Sequence, residues 1–197
     1  MLIFFIISMG RSGQTSWARK FGFTVEQDTC YASALKIRKR IEKAKKEGKK
    51  VYGEVSVFHL NMIPELKKAF PDAFFVHNVR NGKDVVTSWY YMKKLWTPYI
   101  WLGLDKIIKG FNEMSKFEKI CWMWRYWNEK ADEEIPTRIR LEDFEHLLNQ
   151  ENKDSPKKSI MKHNEPWTKE QEDTFERICG ELHKKYGYNK RHSYGIR

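Results

Sequence analysis

The chain opens on six apolar residues in a row, Leu2-Ile3-Phe4-Phe5-Ile6-Ile7. A run this short, uncharged and rich in β-branched and aromatic residues reads as a strand buried on both faces. The pattern then changes at once to small and hydroxyl residues, Ser8-Met9-Gly10-Arg11-Ser12-Gly13-Gln14-Thr15-Ser16, before Trp17-Ala18-Arg19-Lys20-Phe21 opens a helix. Shorter apolar runs recur. Phe23-Thr24-Val25-Glu26 reads as a second strand and Val51-Tyr52-Gly53-Glu54-Val55-Ser56-Val57 as a third. Ala73 to Val79 reads as a fourth, ending in Arg80, and Thr137 to Leu141, just after Pro136, as the last.

Helical patterns fill the intervals. They cover Tyr31 to Glu47, closed by Gly48; Asn61 to Phe70; and Val85 to Leu95, entered through the turn Asn81-Gly82-Lys83-Asp84. Residues 96–131 read as helical and aromatic. Glu142-Asp143-Phe144 starts another helix, with its acids near the positive end of the dipole. Gln150 to Pro166 is polar, lysine-rich and bounded by proline, and reads as a loop. Thr168 caps a final helix with Glu170 and Gln171 in its first turn. Its apolar positions Phe175, Ile178, Cys179 and Leu182 fall on one face, and it ends near Tyr186-Gly187-Tyr188. Strands alternating with helices predict an α/β fold: a P-loop-type three-layer α/β/α sandwich with a mostly parallel central sheet. No repeat or second domain is visible, so residues 1–197 read as one domain, long enough for a real core.

The first turn carries the most specific chemistry. A buried strand, a glycine turn and a helix N-terminus together form a phosphate cradle, because free backbone amides and the helix dipole both favour an anion there. Gly10 and Gly13 allow close approach, and Arg11 adds a permanent charge on a planar fork of donors. The same turn also occurs in α/β proteins that bind nothing. Gln14 stands where the nucleotide loop G-x-x-x-x-G-K-[ST] has its lysine, so the loop suits a phosphate but not Mg-ATP. Glu26 and His59 fall just past the second and third strands, the sheet edge where ligands bind in open α/β folds. Each is a candidate base, or else a capping or surface residue. Arg80 at a strand end and Ser88, eight residues on, can converge on one anion.

Composition narrows the partners. The net charge is +11, which points to an anion: a nucleotide, a nucleic acid, an acidic glycan or an acidic membrane surface. Much of the excess lies in Lys36 to Lys50 and reads equally as a solvated helix face. The apolar start is too short to span a bilayer and lacks the flanks of a signal peptide. Cys30, Cys121 and Cys179 are scattered, outside any metal spacing, and fit reduced thiols. The expected setting is cytoplasmic, with no transmembrane segment and no metal.

Several stretches, in order, resemble the sulfotransferases that use 3′-phosphoadenosine 5′-phosphosulfate (PAPS). Ile6 through Ser16 is similar to the family's 5′-phosphosulfate loop. Phe70 through Ser88 is similar to its 3′-phosphate segment, in which an arginine ends the strand and a serine follows eight residues later. Ile139-Arg140-Leu141-Glu142-Asp143-Phe144 resembles its acidic strand-to-helix segment, and Pro166-Trp167-Thr168 through Tyr188 its last helix. The resemblance implies PAPS as co-substrate and a hydroxyl or amine acceptor, such as a glycan or other anionic molecule. It places Arg11 at the transferring group, Ser12, Gly13, Gln14, Thr15 and Ser16 at the 5′-phosphate, and Arg80 and Ser88 at the 3′-phosphate. Lys162 and His163 are weaker candidates for the same phosphate.

The chain departs from the family in two places. Gln14 replaces the usual Thr or Ser, and Val55 falls where many relatives carry a lysine. The base stays open among Glu26, His59 and Glu54. Two other classes compete with a sulfotransferase. One is a small-molecule kinase on the same architecture. The other is a non-catalytic protein that binds nucleic acid through basic and aromatic residues; no nucleic-acid motif supports it, so nucleic acid is not an expected partner.

Overall fold

The computed structural model describes residues 1–13, 20–22, 24–25, 33–92, 103–144 and 166–188. The chain divides into two compact units: Met1–Arg80 with Lys130–Pro156, and Asn81–Glu129 with Lys157–Arg197.

The first unit is built on a five-stranded sheet. Its strands are β1 (Leu2–Ile7), β2 (Thr24–Val25), β3 (Val51–Ser56), β4 (Phe74–Val79) and β5 (Arg138–Arg140), in the order β2-β3-β1-β4-β5. Every neighbouring pair is parallel. The molecule is therefore α/β, and the apolar first run is its central strand. Leu2 pairs with Val51 and Ile7 with Ser56 on one side, while Phe4 pairs with Phe74 and Ile7 with His77 on the other.

Alternation along the strands sorts the side chains into two faces. On one, Ile6 and Val55 are buried under Ile139, Leu141 and Phe144, beside Val76. On the other, Phe5 stacks on Phe75 with centroids 5.0 Å apart and tilts against Phe70 at 5.5 Å.

Helix α1 (Ala34–Lys46) buries Ile37, Ile41 and Ala44, a four-then-three spacing that makes one apolar stripe. Ser33 caps it by accepting from the Lys36 amide, and Lys43, Lys45 and Lys46 complement the negative end of its dipole. Helix α2 (Ile63–Ala69) follows a 3-10 segment, Val57–Met62, with proline in its first turn. A helix from Asn61 was expected; the Ser56 hydroxyl caps the Phe58 amide and starts a tighter turn four residues earlier.

The second unit is helical in its described parts. Helix α3 (Gly82–Tyr90) starts three residues before the expected Val85, because the Asn81 side chain accepts from the Lys83 amide at 2.9 Å. The Asn-Gly pair that reads as a turn is in fact a cap. Helix α4 (Leu104–Ile107) is one turn long, and α5 (Lys116–Glu134) begins in this unit. Helix α6 (Lys169–Lys185) carries the expected capping box, with Thr168 and Gln171 satisfying each other's amides. Its buried side chains include Phe175, Ile178, Cys179 and Leu182. Trp124 is the hub of the packing, with Phe175, His183 and Tyr186 about its ring. A Cβ on Gly82 would lie 2.9 Å from Trp124, so glycine is required for this approach. Among the described residues no helix is long and apolar enough to cross a membrane.

Candidate functional site

The connection leaving β1 runs to β2 on one side of the sheet, and the one leaving β4 runs to β5 on the other. The reversal falls between β1 and β4. In a parallel sheet that point opens a crevice beyond the carboxyl ends of the two strands. Residues 8–13 leave β1 there, and Asn78, Val79 and Arg80 end β4 beside them.

The loop turns back on itself through the Ser12 amide, which donates to the Met9 carbonyl at 3.2 Å. Ser8 and Ser12 are buried, whereas Arg11 is exposed. Arg11 and Gly13 both take left-handed backbone angles, φ 72° and 80°. For Arg11 this costs roughly 1–2 kcal/mol that the surroundings must offset. They do so from β4. The Arg80 guanidinium donates from Nη1 to the Arg11 carbonyl at 2.9 Å, and the Asn78 amide donates to the Ser12 carbonyl at 2.8 Å. On the other flank a Cβ on Gly13 would sit 2.7 Å from Leu141, so a side chain there would have to push Leu141 aside and take a strained φ.

The loop is electropositive. Partial burial, and then the nearby Arg80 charge, hold the Arg11 guanidinium below its ordinary value. It stays protonated at neutral pH, so two like charges are held near each other where the sheet opens. An anion would relieve both. The chain matches no family model and no curated protein. The site is therefore read from its own chemistry.

Arg11, Ser12 and Gly13 lie together on the loop, and Arg80 reaches the Arg11 carbonyl from the end of β4. Gln14, Thr15, Ser16, Glu26, Lys162 and His163 lie outside the described residues. Ser88 sits half-buried on α3, in the second unit.

The other two candidate bases are in the interior of the first unit. His59 is 1 % exposed and meets the Phe5 ring edge-on, with centroids 5.6 Å apart. Burial, helped by the Arg40 charge, pushes its pKa down to about 3. Among the described residues neither ring nitrogen has a hydrogen-bond partner. It is a neutral, weak proton acceptor sealed from solvent, because the 3-10 segment folds it back onto the sheet. Glu54 is fully buried and engaged by Arg40 at 3.2 Å and by the Tyr52 hydroxyl. Val55 is fully buried in the core beside Ile6. Sequence reasoning missed Asn78 and Leu141. The available signal was an amide beside His77, two polar residues together in an otherwise apolar strand.

Proposed function

We propose that the protein is a sulfotransferase, moving a sulfuryl group from PAPS to a hydroxyl or amine acceptor. One observation carries the reading: Arg11, in a left-handed turn after β1, and Arg80, at the end of β4, meet at the switch point of a parallel sheet. A turn of this kind with a glycine at positive φ suits an anion in close contact with backbone, and the two guanidiniums suit a ligand that carries more than one anionic group. In this reading the sandwich is three-layered and P-loop-like.

The chemistry follows from few parts. The acceptor oxygen or nitrogen forms a bond to sulfur in line, and the bond from sulfur to the bridging phosphate oxygen breaks. Adenosine 3′,5′-bisphosphate leaves with the electron pair. Charge grows on the bridging oxygen, so Arg11 and the loop amides lower the barrier by stabilising it. A base takes the acceptor's proton. Glu54 is committed to Arg40 and His59 is sealed among aromatics, so we assign the proton to Glu26. Arg80 takes the 3′-phosphate.

Calorimetric titration with adenosine 3′,5′-bisphosphate, adenosine 5′-monophosphate and ATP tests the reading. The expected result is tight binding that needs the 3′-phosphate. Equal affinity for all three would remove it, Mg-ATP turnover would favour a kinase, and steeply salt-dependent oligonucleotide binding would favour a nucleic-acid protein.

A further inference from the structure

We propose that Asn78 is a positioning residue of the loop: by holding the Ser12 carbonyl it aims the Gly13 amide at the phosphate group bound there. This rests on the reading of the loop as the 5′-phosphate site.

Asn78 is 1 % exposed, near the end of a strand whose burial favours apolar side chains. A buried amide is costly unless hydrogen-bonded, so its bonds indicate its use. Its Nδ2 donates to the Ser12 carbonyl at 2.8 Å, while its own Oδ1 has no hydrogen-bond partner among the described residues. One bond, to the loop, therefore accounts for the side chain's polarity.

That bond has a geometric consequence. No peptide bond of the described residues is cis. Across a planar trans peptide the carbonyl and the following N–H point in opposite directions. Drawing the Ser12 carbonyl toward β4 therefore turns the Gly13 N–H away from β4. The preceding amide, that of Ser12, is already used on Met9. Gly13 is thus the first amide of the turn that the clamp presents outward, in the alternating backbone that forms an anion-binding nest. Arg80 holds the neighbouring carbonyl in the same way, so two side chains of β4 fix two successive peptide planes. Asparagine suits the task because it donates without charge. An aspartate would set lone pairs against the Ser12 carbonyl and a negative charge near the anion.

The test separates the 5′-phosphate from everything else the protein binds. In the wild type, adenosine 3′,5′-bisphosphate is compared with adenosine 3′-monophosphate, which lacks only the 5′-phosphate. Asn78→Leu, of similar size and without a donor, should reduce that preference about tenfold, the worth of a hydrogen bond to a charged group. Affinity for the 3′-monophosphate should not change, which a merely structural role would not predict. A preference that survives intact in Asn78→Leu overturns the proposal while leaving the sulfotransferase reading in place. Should Asn78→Leu not fold, the wild type decides. Inorganic phosphate should shift the Gly13 amide in a nitrogen–proton NMR titration, and an unmoved Gly13 overturns the proposal. If neither nucleotide binds but phosphate still shifts Gly13, the positioning role stands and the sulfotransferase reading falls.

Discussion

Arg11 and Arg80 are held near each other at the carboxyl edge of the sheet, close enough for Arg80 to make the charge on Arg11 costlier. Within the same unit Arg40 meets the opposite charge, Glu54, with Tyr52 adding a hydroxyl. One region keeps like charges together and the other cancels unlike ones. An opposite charge stabilises the buried carboxylate in the second, whereas two like charges near each other each make the other costlier in the first. The first is a cost to the apo fold that a ligand can recover. In the proposed reading, the contrast separates a place prepared for binding from a place held together by opposite charges.

The largest expected effect lies in the interior. His59 has a pKa near 3 in the fold against an ordinary 6.5. Above pH 6.5 the ring is neutral in folded and unfolded chains alike, and its contribution to stability is complete. As pH falls from 6.5 toward 3, only the unfolded chain takes up the proton, and stability falls by ~4–5 kcal/mol. Urea unfolding across this range should reveal the loss, and His59→Phe should remove most of it. An unchanged slope in the variant would mean that the ring is not sealed.

Arg40→Met comes next. It removes the charged partner of the buried Glu54 carboxylate, so unfolding free energy should drop by ~3 kcal/mol. Nucleotide affinity should not move. A loss of affinity with stability intact would erase the distinction between the two regions.

At the sheet edge the effects should appear in binding rather than stability. Arg80→Ala should weaken binding of adenosine 3′,5′-bisphosphate by ~1.5–3 kcal/mol in calorimetry, and unchanged affinity would take Arg80 out of the site. Arg11→Ala should have the smallest effect on affinity and act mainly on turnover, as expected for a group used in the transition state. Equal losses in both would contradict that role.

Much of this frame was legible in the chain. The six apolar residues of β1 could be little else, and the Thr168 box announced α6 because both partners of a cap lie within four residues. The loop was legible for the same reason: its glycines and Arg11 are contiguous. What escaped depends on folding back. His59 sits where a sheet-edge base would sit, yet the Ser56 cap curls the chain and turns the ring onto Phe5. Asn78 and Leu141 reach the loop from positions about seventy and 130 residues away in the chain, and no local pattern encodes such a meeting. The Asn-Gly pair before α3 carried two local meanings, turn and cap, and the accepting Asn81 side chain selected the second.

The central place of β1 also governs the order of assembly. It is synthesised before its partners β3, about fifty residues later, and β4, about seventy later. During synthesis, at about 5–20 residues per second, Leu2–Ile7 waits seconds before either edge can be covered. An uncharged, β-prone hexapeptide exposed for that time is also the chain's most evident nucleus for aggregation. Contacts of such long range slow folding, so recovery of folded protein should depend more on protecting this segment early than on the final stability of the fold.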